Sequence, residues 1–97
     1  MTYIELRQAL AVFDLPDRVT LAMLRKRHRQ LVRKYHPDST GDADNHKIRE
    51  VNGAYQVLQE YVADYCFDFS RKTFLDQYPE ERLREQFSDS ELWRRQT

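Results

Sequence analysis

Leu21–Asp38 reads LAMLRKRHRQLVRKYHPD, and the rest of the chain can be placed around it. Leu21, Leu24, His28, Leu31, Val32 and Tyr35 recur at spacings of three, four and seven, which sets them on one side of a helix. Lys26, Arg29 and Arg33 fall on the opposite side, with Arg25 and Gln30 on its flanks. Between Leu21 and Tyr35 the cations are Arg25, Lys26, Arg27, Arg29, Arg33 and Lys34, and no Asp or Glu interrupts them. A solvated helix face is ordinarily mixed in sign, because Glu–Lys pairs four apart stabilise a helix by ~0.2–0.5 kcal/mol and like charges oppose it. A helix that forgoes this stabilisation presents a surface suited to an anionic partner. Pro37 sets its end: it cannot continue the helix, and it drives His36 out of the α region.

On the N-terminal side, Ile4, Leu6, Ala9, Leu10, Val12 and Phe13 have near-helical spacing, and Thr2 is placed to cap a short first helix from Tyr3 to Phe13. Asp14-Leu15-Pro16-Asp17 breaks that pattern, and Thr20 stands where the second helix needs its cap. On the C-terminal side, DSTGDADN (38–45) has the composition of an exposed polar loop. Ile48, Val51, Tyr55, Leu58 and Val62 then form the stripe of a third helix, from about His46 to Asp64. A loop of that length predicts that helices two and three pack as an antiparallel hairpin. Gly53 lies inside helix three, where it costs ~1 kcal/mol relative to Ala. That cost suggests close packing against a neighbouring helix.

Beyond Tyr65 the pattern loosens. CFDFS (66–70) alternates but is too short for a strand assignment. Ser70 can cap a short helix running to Tyr78, and Pro79-Glu80-Glu81 has the form of another helix's first turn. Leu83, Phe87, Leu92 and Trp93 give this tail apolar anchors. The expectation is a domain over residues 1–66 and a helical extension over 67–97 packed on it. The aromatics Tyr61, Tyr65, Phe67, Phe69, Phe74, Phe87 and Trp93 either cover the hairpin or present an apolar patch to a client or tethering protein.

Composition agrees with an all-α class: two Gly and three Pro among 97 residues, with 33% charged, favour helices with solvated outer faces. Net charge is zero, so the positive charge of helix two is local. Cys66 is the single cysteine, which leaves no internal disulfide and fits a reducing compartment. His28, His36 and His46 are too scattered to indicate a metal site, and no nucleophile sits in a recognisable motif. The N-terminus has neither the charged start nor the long apolar run of a signal or membrane segment. The expectation is a cytoplasmic monomer that is not an enzyme and needs no cofactor or metal.

The combination of the basic helix, Lys34-Tyr35-His36-Pro37-Asp38, a polar loop and IREVNGAYQVL (48–58) resembles the J-domain of the DnaJ co-chaperone family. The resemblance spans roughly residues 3–64, with VFDL (12–15) similar to the end of the family's first helix. It implies an all-α, J-domain-like hairpin that touches a DnaK-type ATPase of the 70-kilodalton heat-shock class. His36, Pro37 and Asp38 would act at the junction of the partner's domains. Arg25, Lys26, Arg29 and Arg33 would meet an acidic surface of the ATPase. Hydrolysis by the partner would speed up and capture of its client tighten.

Some features depart from the family. Ser39 and Thr40 stand where basic or amide residues often follow His-Pro-Asp, and His28 stands where many members carry a Tyr, so it either packs at the hairpin edge or meets the partner. The family's basic fourth-helix motif is not recognisable. Nothing resembles a Gly/Phe linker, a Cys-rich zinc domain or a client-binding β domain, so the expectation is a J-domain-only protein with a divergent tail. The competing reading is a helical nucleic-acid-binding module that lays helix two on phosphates. Zero net charge, the acidic loop and the lack of interleaved aromatic or amide residues weigh against it.

Overall fold

The computed structural model describes residues 1–36 and 45–96, the side chains of 89–96 excepted. The described residues form five helices and no strand, in two compact units, Met1–Tyr65 and Cys66–Thr97.

In the first unit, α1 (Tyr3–Phe13) starts in a capping box. Thr2 Oγ1 accepts from the Glu5 amide at 3.2 Å, and the Glu5 carboxylate accepts from the Thr2 amide at 3.3 Å. Two of the amides that a helix N-terminus leaves open are thereby satisfied. The helix stops at Asp14, whose φ of 50° and ψ of 49° lie in the left-handed region that a short polar residue tolerates. Arg7 reaches past this turn to Asp17 at 2.7 Å, and that hydrogen bond and charge hold its guanidinium above its ordinary pKa.

Helix α2 (Leu21–Tyr35) begins at Thr20, whose hydroxyl accepts from the Met23 amide at 3.1 Å. It ends at His36 in extended geometry, φ −63° and ψ 135°, as the residue before a proline requires. Helix α3 (His46–Ala63) follows. Tyr35 of α2 lies beside Lys47 of α3, whereas His28, two turns earlier, lies beside Asn52 and Tyr55. As the number falls along one helix it rises along the other, so the pair is antiparallel.

The core joins all three helices. Ala9, Phe13, Leu24, Val51, Ala54 and Leu58 are buried, ringed by Leu6, Leu10, Val12, Leu15, Leu31, Tyr35, Tyr55, Val57 and Val62. α1 makes its main contact with α3, so it is a full side of the core. Ile4 and Leu21, which the periodicity had assigned to packing faces, are exposed in the first turns of their helices. Ala54 and Val57 widen the buried face of α3 beyond the stripe visible in the sequence. The expectation of close packing at Gly53 is overturned: a Cβ built there meets nothing within 4 Å, and the residue is exposed.

In the second unit, α4 (Arg71–Gln77) is capped by the Ser70 hydroxyl, which accepts from the Thr73 amide at 3.3 Å. Helix α5 (Pro79–Gln96) opens on Pro79 with Glu80 and Glu81 in its first turn. Pairs Arg71–Glu85 and Arg82–Asp76 tie the two helices together. Residues 66–69 are irregular, not a strand. Asp68 accepts from the Thr73 hydroxyl at 2.7 Å and from the Ser70 amide at 2.9 Å, and these bonds hold its carboxyl below the ordinary range.

Two expected outcomes follow from this geometry. Gly53→Ala relieves the backbone-entropy cost of glycine with no steric conflict, so it should raise stability by about 0.5–1 kcal/mol, read as a higher urea midpoint. Because the folded Asp68 carboxyl titrates below its unfolded value, its contribution is complete above the ordinary aspartate range and is lost as pH falls through the depressed folded value. Amide protection at Ser70 and Thr73, taken relative to the intrinsic exchange rate at each pH, should therefore fall on acidification through that window, and Asp68→Asn should remove that dependence.

Candidate partner-docking site

Four cations of α2, Arg25, Lys26, Arg29 and Arg33, are exposed, and among the described residues none of them is paired with a carboxylate. Arg27 is half-buried and belongs to the edge of the packing side. α2 carries no acid in its first turn, so its own sequence offers no internal counter-charge. Arg33 and Lys34 lie in the last turn, where cations are favoured by the helix dipole by ~0.3–1 kcal/mol each. That local stabilisation accounts for two cations at the C-terminal end. It does not account for Arg25, Lys26 and Arg29, which sit one to three turns earlier.

The C-terminal end of this face is fastened to the neighbouring helix. Lys34 Nζ lies 5.2 Å and Lys47 Nζ 5.6 Å from the centroid of the Tyr35 ring. Lys47 is also 3.6 Å from Glu50 one turn on. A cation over an aromatic face contributes about 0.5–1 kcal/mol at an exposed site. The end of α2 and the start of α3 are therefore joined at Tyr35, immediately before His36, which is itself exposed. Pro37 and Asp38, the other two residues singled out in the sequence, lie outside the described residues.

His28 packs rather than joining the exposed cations. Its ring stacks on Tyr55 with centroids 3.6 Å apart and planes 11° from parallel, and Phe13 lies nearly parallel to both at about 6 Å. Its Nε2 is 3.4 Å from Asn52 Oδ1, a long contact that orients the ring. Asn52 was not legible as a partner of His28 beforehand. The available signal was its spacing of three before Tyr55, which puts both on the α3 face that His28 meets.

Elsewhere the first unit has a broad shallow groove between α1 and α3, floored by Ala9, Val12, Ala54 and Val57 and rimmed by Glu5, Lys47 and Glu50. Among the described residues no group of three His, Cys, Asp or Glu converges as metal ligands would, and no helix is long and apolar enough to cross a membrane. The chemistry this surface can do is electrostatic recognition, because exposed guanidinium and ammonium groups on a rigid helix attract and orient an acidic surface.

Removing the stacked ring should be felt in the core. His28→Ala is expected to cost about 1 kcal/mol through the lost ring contacts, while His28→Tyr retains them and should stay near the parent value. Urea denaturation of the two variants distinguishes these outcomes.

The DnaJ domain family matches the chain over residues 9–64. "Chaperone protein DnaJ" of Finegoldia magna is 32% identical over 68 residues, covering 68% of this chain and 18% of that protein. "Chaperone protein DnaJ" of Rickettsia akari is 40% identical over 58 residues, covering 58% and 16% respectively. The protein of that name from Dictyoglomus thermophilum is 38% identical over 50 residues, 50% of this chain and 13% of its own. The chain thus spans less than a fifth of the length of these curated relatives. No solved structure matches at comparable significance.

Proposed function

The chain belongs to the DnaJ-domain family, and from that premise we propose that it is a co-chaperone of a DnaK-type ATPase, acting in the cytoplasm without catalytic groups of its own. The observation that carries the reading is the row of exposed cations, Arg25, Lys26, Arg29 and Arg33, free of carboxylate partners among the described residues, on the helix that leads into His36. An acidic face on the partner supplies the missing counter-charges.

The mechanism divides between approach and switching. The cations of α2 raise the rate of encounter and fix orientation, more than they add affinity. His36, Pro37 and Asp38 then contact the partner at a site whose geometry differs between its resting and hydrolysing states. Asp38 as a carboxylate accepts charge-assisted hydrogen bonds, the strong and directional kind, from a partner arginine. Pro37 restricts the backbone on either side, which lowers the entropy cost of ordering the contact. A docked protein shifts the partner's equilibrium only by its difference in affinity for the two states. The directional contacts of Asp38 supply that difference, and the diffuse charge of α2 supplies the binding common to both.

Single-turnover ATP hydrolysis by a DnaK-type chaperone tests the reading. The parent chain should accelerate hydrolysis, and Asp38→Asn should abolish the acceleration while circular dichroism and melting stay unchanged. No acceleration by the parent chain would overturn the proposal. A double reversal, Arg25→Glu with Arg29→Glu, should slow association at least tenfold at low ionic strength, with the deficit shrinking as salt is added. A deficit independent of salt would remove α2 from the encounter step.

A further inference from the structure

Lys47 differs from the four docking cations in that its charge is used inside the chain. Its Nζ lies 5.6 Å from the centroid of the Tyr35 ring and 3.6 Å from the Glu50 carboxylate. Arg25, Lys26, Arg29 and Arg33, by contrast, meet no carboxylate among the described residues. Lys34 also lies against the Tyr35 ring, at 5.2 Å, but it belongs to the same helix as Tyr35. Of the two ammonium groups, only that of Lys47 connects α2 to α3. Its position is otherwise unfavourable: it falls in the first turn of α3, which holds no acid, and a cation there opposes the helix dipole. That turn also lacks a local cap. Thr2, Thr20 and Ser70 cap α1, α2 and α4, but Asn45 makes no side-chain capping bond, and its Oδ1 is buried without a hydrogen-bond partner among the described residues. In place of a cap, the contact of Lys47 with Tyr35 fastens the start of α3 to α2.

Tyr35 is the last residue of α2, immediately before His36, whose backbone is extended. We propose that Lys47 is a positioning residue for the switching step: through Tyr35 it holds the end of α2, and so the point from which His36 departs, in the arrangement that acts on the partner. The inference rests on the co-chaperone reading and deepens it. An ammonium within about 6 Å of an aromatic centroid is attracted by the electron-rich face of the ring. Without that attraction the end of α2 is freer relative to α3, and its ordering is deferred until the switching contacts form. Docking does not depend on that ordering in the same way, because Arg25, Lys26 and Arg29 lie more than a turn back from Tyr35. A docked chain shifts its partner only by its difference in affinity for the partner's two states. Loss of the Lys47 contact therefore lowers the maximal acceleration of hydrolysis and leaves the strength of docking as it was.

Single-turnover hydrolysis by a DnaK-type chaperone, titrated with the full chain and with its Lys47→Met variant, separates the two quantities. Lys47→Met keeps an unbranched side chain and removes the charge. Maximal acceleration should fall about two- to fivefold, the equivalent of one exposed cation–π contact, while the half-saturating concentration stays within about twofold. Lys47→Arg restores a cation and should restore the parent value. In a Tyr35→Leu background Lys47→Met should add no further loss, because the contact it removes is already gone. Lys47 is exposed, so its single variant reads the contact independently of any misfolding caused at half-buried Tyr35. Unchanged maximal acceleration in Lys47→Met would overturn the proposal, as would additive losses in the double variant. So would a salt-sensitive rise in the half-saturating concentration, which would make Lys47 a direct docking contact. No acceleration by the parent chain would instead overturn the co-chaperone reading, and this inference with it.

Discussion

The near-parallel rings of Phe13, His28 and Tyr55 bring α1, α2 and α3 to one point, and the rest of the first unit depends on that meeting. Phe13 is fully buried at the last position of α1. Burying a side chain of that size contributes about 1.5–3 kcal/mol, several times the value of any surface pair in the unit. Asp14 must turn immediately afterwards, and its left-handed backbone is the local cost of ending the helix there. His28 and Tyr55 close over the other side, which fixes the register of α2 against α3. The two helices are then too constrained to slide, because a shift of one residue would move His28 away from both rings.

That register determines what the basic face can be. With Leu24, Leu31 and Tyr35 committed to the interior side, Lys26, Arg29 and Arg33 have only solvent to face. Mutual repulsion along α2 is tolerated because tertiary packing, not helix propensity, holds the helix. The cations over Tyr35 add a second constraint at the end of the face. They connect the last turn of α2 to the first turn of α3, on the two sides of the segment that contains Pro37 and Asp38. The face is thus carried by a helix pair joined at Tyr35.

The two units obey different physics. The first buries apolar residues from three helices around a shared centre. The second is held by caps, by Arg71–Glu85 and Arg82–Asp76, and by half-buried Thr73 and Leu75. Exposed ion pairs are each worth about 0–1 kcal/mol, so they orient helices more than they stabilise them. Among its described side chains none is buried, and short units with little burial are ordinarily marginal.

The sequence alone determined the elements and their ends, because those are set by local chemistry. Thr2, Thr20 and Ser70 cap helices, Pro37 forces His36 into extended geometry, and Pro79 opens α5. It also determined the family, since the basic helix, His36-Pro37-Asp38 and the third-helix pattern are contiguous strings that need no fold to be read. Tertiary structure decided the matters that depend on distance between helices. It paired His28 with Tyr55 and Asn52, made α1 a full side of the core, left Gly53 in open space and exposed Ile4 and Leu21. Periodicity marks which side of a helix is apolar. Only the neighbours' positions decide how far along the helix that side is covered, and so which of its residues become core and which remain surface.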